Sequence, residues 1–383
     1  MLHLALVLLC STLPDFERWA ETNGRTYTDE AERAFREATF RATVEYHQKR
    51  NAEEGPNGAR YAVDEFSDWT QEELGALGCV SPAGAVSERL GRFATIELAA
   101  AAANPSIDWR SHGAVAAVQQ QHPFGTCWAF SLIAMAEGVM VVQGGQPLAK
   151  LSEQMVVSCV PQNDTAQMAD ATAPWIEKAT NGKLQLEVDY PYNRTCNFVR
   201  EEVLAPDGTR DGYKGTCNTS HSIIGRCTPC EGIHRADGTP KCHLSATSKF
   251  SAARLRDIGY VSVGDPPDDT KMVAALAKYG PLQLAINTGC IHGYSGGIIS
   301  NCTTTAPQGH AVTIVGAQTD SKSGTPFWII KNSWGEGFGE SGYFRVARSP
   351  PQLHITGAWF GCFNKGCSVD TTSALSEKAA SVR

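Results

Sequence analysis

The stretch Gln121-His122-Pro123-Phe124-Gly125-Thr126-Cys127-Trp128-Ala129-Phe130 decides how this chain is interpreted. Its cysteine starts a long apolar segment that reaches Val142, which predicts a buried helix beginning near Cys127. The positive end of the helix dipole lowers the pKa of a thiol in the first turn and favours the reactive thiolate. On these residues alone, Cys127 is either a nucleophile or an inert buried cysteine, and Gln121 could be a surface residue in a glutamine run.

A second stretch supplies a candidate base. His310 opens the apolar run Gly309-His310-Ala311-Val312-Thr313-Ile314-Val315-Gly316, which predicts a strand with the histidine half buried at its rim. A lone histidine of this kind is more often a core residue than a base. It is followed, however, by Phe327-Trp328-Ile329-Ile330-Lys331-Asn332-Ser333-Trp334-Gly335, in which the asparagine lies 22 residues after His310.

Together these stretches resemble the active-site segments of papain-like cysteine peptidases, and the order Gln, Cys, His, Asn holds along the chain. The resemblance implies that Cys127 is the nucleophile and His310 its base. Gln121 and the backbone N–H of Cys127 would form the oxyanion hole, Asn332 would orient the imidazole, and Trp334 would shield their hydrogen bond from water. It also implies an α+β fold with a helical left domain, a β-barrel-like right domain and a cleft between them. No metal or organic cofactor is needed.

The resemblance covers residues 104 to about 372. Ile107-Asp108-Trp109-Arg110 resembles the start of mature enzymes of the family, and Tyr190-Pro191-Tyr192 is another marker. The segment from Leu151 to Cys159 resembles a segment found in kinetoplastid cathepsin-L-like members of the family. We therefore expect a peptidase domain at 104–383, with strands at Leu282–Ile286, Ala311–Val315, Phe327–Ile330 and Tyr343–Val346.

Residues 14–103 are predicted to be an inhibitory prodomain and linker. Phe16, Trp19 and Ala20 recur at helical spacing, and a second helix is predicted from about Asp29 to Lys49. We expect its inward positions to be Phe35, Ala38, Phe40 and Val44.

The same region resembles a cathepsin-L-type prodomain. Its spacing is matched by Glu32, Arg36, Phe40 and Asn51, while Thr43 and His47 stand where an asparagine and an aliphatic residue are usual. Phe66 and Asp68 match a second marker, with Ala62 and Asp64 as departures. The resemblance implies that the prodomain lies backwards through the cleft and that cleavage near Ala103 releases activity. An ordinary amphipathic helix pair is the simpler alternative.

Length, charge and cysteine content indicate the number of folding units, the class of partner and the cellular compartment of the chain. Its 383 residues suggest roughly two or three folding units, and a net charge of −7 without a basic cluster argues against a nucleic-acid partner. Thirteen cysteines, an apolar run from Leu2 to Cys10 and four glycosylation sequons favour the secretory pathway. We expect a signal peptide at 1–13 and a secreted or lysosomal/endosomal monomer without a membrane segment, acting on proteins and peptides. The sequons begin at Asn163, Asn193, Asn218 and Asn301.

Three departures concern the substrate-binding side of the cleft. Phe124 stands where the family usually has a cysteine, and residues 160–174, after Cys159, contain neither its partner cysteine nor a Gly-Gly pair. Gly309 stands where Asp or Asn is usual before the histidine. The pocket floor would fall near Thr372. These departures leave a second reading open, in which a catalytically weak homologue binds peptides or proteins as a decoy.

His310 lies 183 residues after Cys127, whereas about 130–150 is usual for the family. We assign the excess to a loop-like insertion at about 197–250. Its cysteines and histidines allow a zinc-stabilised binding module, although disulfides are favoured in a secreted chain. Residues 197–242 could also restrict the primed end of the cleft and give an exopeptidase bias.

The cysteine count predicts the disulfides in part. With Cys127 free, and Cys10 and Cys79 assigned to the signal and proregion, ten cysteines remain for five disulfides. We expect Cys159 to pair with Cys196 or Cys242, and Cys302 to pair with Cys367 or Cys362.

Overall fold

The computed structural model describes residues 14–76, 106–122, 124–159, 168–192, 198–204, 210–217, 254–262, 268–305 and 308–363. Within them the chain is an α+β protein. The N-terminal part is helical, a long helix and two shorter ones follow, and the C-terminal half is mostly strand.

The N-terminal region contains helices α1 (Phe16–Thr22), α2 (Glu30–Glu54) and α3 (Gln71–Ala76) and the short strand β1 (Arg60–Tyr61). Asp29 caps α2 by accepting from the Glu32 amide at 2.8 Å, and Glu32 in turn accepts from the Thr28 amide at 2.7 Å. This reciprocal pattern satisfies backbone donors that would otherwise be unpaired at the start of the helix.

The buried face of α2 differs in part from the predicted one. Phe40 and Val44 are buried as expected and pack with Phe16 and Trp19 of α1. Phe35 is 53% exposed and Ala38 is exposed, so these two inward assignments are wrong. The inward positions are instead taken by polar residues, namely Arg36, His47 and Arg50.

Each buried arginine of α2 has acidic partners. Arg36 makes a bidentate pair with Glu73 at 2.6 and 2.8 Å and donates to the Asp68 carbonyl. Arg50 pairs with Glu54 at 3.0 Å. Because buried charges are tolerated only when they are paired and hydrogen-bonded, these contacts explain how a polar stripe can face inward.

The helical part of the mature region is built on α4 (Cys127–Gly144), with α5 (Glu153–Cys159) and α6 (Ala169–Thr180) packed beside it. Helix α4 is apolar on all sides, as expected for a core helix. Gly138 is required within it, because a Cβ there would lie 2.3 Å from Pro281 Cγ. Among the described residues α4 is also the one helix long and apolar enough to cross a membrane, and most of it is buried in this core.

The sheet part contains the strands β2 (Ile107–Asp108), β5 (Leu255–Ser262), β6 (Leu282–Ile286), β8 (Ile298–Ile299), β9 (His310–Thr319), β10 (Pro326–Lys331), β11 (Tyr343–Ala347) and β12 (Gly357–Phe363), and helix α7 spans Thr270–Tyr279. Among the described residues these eight strands form one sheet in the order β5-β12-β6-β9-β10-β11-β8, with β2 paired to β9. Neighbouring strands are antiparallel except β11 and β8, which are parallel. The four strands predicted from the sequence are confirmed, since they lie within β6, β9, β10 and β11.

The N-terminal region docks on the sheet part through a shared core and backbone hydrogen bonds. Tyr61, Phe66, Trp69 and Leu74 belong to the same hydrophobic cluster as the sheet residues. Strand β1 pairs antiparallel with β7 (Tyr294–Gly296), and the Ala62 amide donates to the Gly293 carbonyl at 2.8 Å. The predicted prodomain is thus held by the edge of a short sheet as well as by apolar burial.

Two predictions about the second half of the chain need correction. Residues 197–250 are not wholly loop-like, since Phe198–Leu204 (β3) and Arg210–Cys217 (β4) form an antiparallel hairpin. Cys302 pairs with Cys290, not with Cys367 or Cys362. The two partners are 12 residues apart and flank the β7–β8 turn, and a count of cysteines cannot reveal such closeness.

Several expectations fall outside the described residues. These are the signal peptide at 1–13, the linker, the pocket floor near Thr372, three of the sequons and the cysteines and histidines from 218 to 253, with the zinc and loop hypotheses that depend on them. The fourth sequon is described, and its Asn301 is exposed.

Candidate active site

Cys127 is the first residue of α4, at the place where the helix meets the sheet. Its side chain is fully buried, and its sulfur accepts from the Ala311 amide of β9 at 3.2 Å. The sulfur is therefore in contact with the residue next to His310. A thiolate here would benefit both from that N–H and from the positive end of α4.

His310 and Asn332 are joined across strands β9 and β10. His310 Nε2 lies 2.8 Å from Asn332 Oδ1, and the Ser333 amide donates to the same oxygen at 2.9 Å. Because this oxygen can only accept, Nε2 carries the proton and Nδ1 of the neutral ring keeps its lone pair. Nδ1 has no hydrogen-bond partner among the described residues, so the ring is set up to receive a proton there.

Trp334 covers this pair. Its ring centroid is 4.9 Å from that of His310, and Trp334 is itself buried. His310 is fully buried, so the prediction of a half-buried base at a rim is wrong for this form of the chain. Burial lowers the pKa of His310 to about 4, while its hydrogen bond to Asn332 raises it. A thiolate at Cys127 would raise it further.

Gln121 is held close to the same residues. Its amide accepts from the Ser333 hydroxyl at 2.6 Å and donates to the Phe124 carbonyl at 2.9 Å, and its backbone N–H donates to the Ser333 carbonyl. The sequence predicted Gln121 as a site residue but gave no sign that Ser333 would fix it. The structure thus brings all four predicted residues and Trp334 into one cluster at the junction of α4 and the sheet.

Tyr192 is a further residue of this cluster that the sequence identified only as a family marker. Its hydroxyl lies 2.7 Å from the Thr126 hydroxyl and donates to the Gln121 carbonyl at 3.0 Å. Thr126 is the N-cap of α4, yet its side chain makes no capping hydrogen bond. Tyr192 therefore anchors the loop that precedes Cys127 through hydrogen bonds to Gln121 and Thr126. In the same loop Phe124 stands where a cysteine was expected.

Cys127 is disulfide-bonded, which corrects the expectation of a free thiol. Its partner lies outside the residues whose side chains the structure describes. Sulfur in a disulfide is not a nucleophile toward a peptide carbonyl, so this form of the chain holds the candidate nucleophile in an oxidised state.

The N-terminal region lies over the cluster. Phe66 packs edge-on against Trp334 at 5.8 Å between centroids, and Trp69 lies 5.1 Å from His122, next to Gln121. Gln120 bonds both Glu65 and the Trp334 carbonyl. The N-terminal region thus contacts the residues that surround the cluster, in which the side chains of Cys127, Gln121 and His310 are fully buried.

Comparison with known proteins gives two family matches. Residues 103–359 match the model of the papain family of cysteine proteases, and residues 16–74 match that of the cathepsin propeptide inhibitor domain. A cysteine proteinase of Trypanosoma brucei brucei is 31% identical over 88% of this chain, which spans 64% of that relative's length. Fruit bromelain of Ananas comosus is 30% identical over 87% of this chain and 80% of its own.

Solved structures agree with these matches. The digestive procathepsin L2 proteinase from the larval midgut of Tenebrio molitor superposes with a TM-score of 0.65 at 26% identity, over 90% of this chain and 98% of that one. The recombinant stem bromelain precursor gives a TM-score of 0.59 at 25% identity. Both are structures of precursors, and the likeness extends through the N-terminal helices as well as the sheet.

Proposed function

The chain belongs to the papain family of cysteine proteases, and on that premise we propose that it is the precursor of a cysteine endopeptidase whose nucleophile is Cys127. The observation that carries this proposal is the cluster in which the Cys127 sulfur contacts the amide next to His310 while Asn332 fixes the imidazole tautomer. The same residues would be needed for acyl transfer through a thioester.

In the proposed reaction the Cys127 thiolate attacks the peptide carbonyl carbon and forms a C–S bond. Gln121 and the backbone N–H of Cys127 stabilise the oxyanion. His310 transfers its proton to the leaving amine as the C–N bond breaks, and then takes a proton from the water that attacks the thioester. Hydrolysis returns the free thiolate and releases the acid product.

Residues 14–103 are proposed as the inhibitor. Support comes from the propeptide match over 16–74 and from the contacts of Phe66 and Trp69 with Trp334 and His122. Secretion or delivery to a lysosomal compartment fits the Cys290–Cys302 disulfide and the exposed Asn301 sequon. We propose protein and peptide substrates and a monomeric mature form.

The test compares two forms of the protein on peptide substrates, in the presence of a thiol reductant. The form cleaved near residue 103 should hydrolyse internal peptide bonds, and the intact precursor should be at least about 100-fold slower because its cleft is covered. If the cleaved form binds peptides tightly but does not turn them over, the decoy function suggested by the missing Gly-Gly segment replaces this one.

A further inference from the structure

A histidine stands at the centre of the contact between the N-terminal region and the sheet part. His47 of α2 is 4% exposed, and its ring lies directly on the backbone of Gly293. A Cβ built on Gly293 would come within 2.1 Å of Cε1 and Nε2 of His47. The imidazole thus fills the space that a side chain at this position would need, and it hydrogen-bonds the backbone of His292.

His292 continues this contact toward the candidate active site. It is 7% exposed and stacks on Trp334, with ring centroids 5.1 Å apart and planes 14° apart. Trp334 also packs against His310, with ring centroids 4.9 Å apart. Contacts therefore lead from His47 to the His292 backbone, and from the His292 ring through Trp334 to the candidate base.

We propose that His47 is the acid-sensitive element that releases the prodomain: its protonation against the buried His292–Gly293 segment weakens docking and uncovers the cleft. This inference rests on the proposed function, in which the N-terminal region is the inhibitor.

The surroundings of His47 favour its neutral form. Burial lowers its pKa, while Asp64, which also accepts from the Gly293 amide at 3.0 Å, raises it in part. Burial, and then the charges of His310 and His47, lower the pKa of His292 to about 3. The Nδ1 atoms of both rings have no hydrogen-bond partner among the described residues. The titratable and charged groups that face His47 are Tyr46, Arg50, Tyr61, Asp64 and His292, with His310 behind His292.

The sign of the effect follows from proton linkage. A histidine whose pKa is lower in the docked state than in the released state stabilises docking above about pH 6.5, and this stabilisation is lost as the pH falls toward the docked pKa. When the prodomain leaves, His47 is exposed and its pKa returns toward about 6.5. At pH 4.5 this single proton can favour release by up to about 100-fold relative to neutral pH.

The test measures how firmly the N-terminal region is docked on the sheet part, and it does not depend on peptidase activity. The full chain carrying Cys127→Ala is compared with the same chain carrying His47→Leu in addition, by hydrogen exchange at the Ala62 amide, which bonds across the interface to Gly293. The Tyr61 amide bonds to Asn51 within the N-terminal region and reports its internal fold. Both proteins are measured at the same pH, so intrinsic exchange rates cancel.

We expect equal protection of Ala62 at pH 7.5, and exchange in the parent up to about 100-fold faster than in His47→Leu at pH 4.5, with Tyr61 protected in both. Equal ratios at both pH values would overturn the proposal. His47→Gln provides a second uncharged variant should leucine disturb the fold, and His112→Gln, at an exposed histidine beside β2, should behave as the parent. Failure of peptide hydrolysis would leave these results unaffected.

Discussion

Replacing His310 with alanine should lower the turnover of the mature protein by at least about 10³-fold, with little change in its fold. In the proposed reaction the imidazole protonates the leaving amine, and Asn332 Oδ1, 2.8 Å from Nε2, holds its tautomer. Without the ring, the thiolate also loses the cation that stabilises it. The variant should be matured by an added protease, because it cannot be expected to process itself, and kcat/KM is then measured on a peptide substrate.

The matched control is His112→Ala. This histidine is exposed, and its Nδ1 lies 2.8 Å from the Asp108 carbonyl oxygen. It should retain kcat/KM within about twofold, since surface substitutions have small effects. If His310→Ala retains comparable turnover, His310 is not the base, and the cluster at the α4–sheet junction is structural.

The second large effect concerns the oxidation state of Cys127. Because its sulfur is in a disulfide, the chain purified without reductant should show no turnover, even after the N-terminal region is cleaved. A dithiol reductant should restore turnover as it forms the mixed disulfide and then releases the Cys127 thiolate, itself becoming oxidised. The measurement is peptide hydrolysis against reductant concentration.

Peptide mapping without reduction completes this experiment. It should find Cys127 cross-linked to another cysteine. The peptide joining Cys290 to Cys302 serves as the internal control for an intact disulfide. Full turnover of the cleaved protein in the absence of any thiol would show that the Cys127 sulfur is not blocked by a disulfide.

The sequence predicted secondary structure best where a local pattern of apolar residues is enough to define an element. The strands Leu282–Ile286, Ala311–Val315, Phe327–Ile330 and Tyr343–Val346 are apolar runs bounded by turns, and each lies within an observed strand. The helix at Cys127 is likewise predicted from an apolar segment with a clear start. The candidate site followed from the resemblance of its segments to those of papain-like cysteine peptidases, because the residues alone left the roles of Cys127, Gln121 and His310 open.

Prediction failed where burial depends on distant partners. Phe35 was expected to face inward because it is apolar, yet Arg36 takes the buried position since Glu73, 37 residues away, neutralises it. His310 was expected at a rim, but Trp334, and the Phe66 ring packed on it, cover the site. Cys302 was paired wrongly because a count of cysteines carries no information about which two lie close together.

The central claim is that Cys127 is the nucleophile of a peptidase. It is tested most directly by labelling the cleaved, reduced protein with an irreversible epoxide inhibitor of papain-like enzymes and locating the label by mass spectrometry. The account predicts one label per chain, on Cys127, and no label in the His310→Ala variant. No label on Cys127 in the reduced and cleaved protein, or equal labelling without His310, would contradict it.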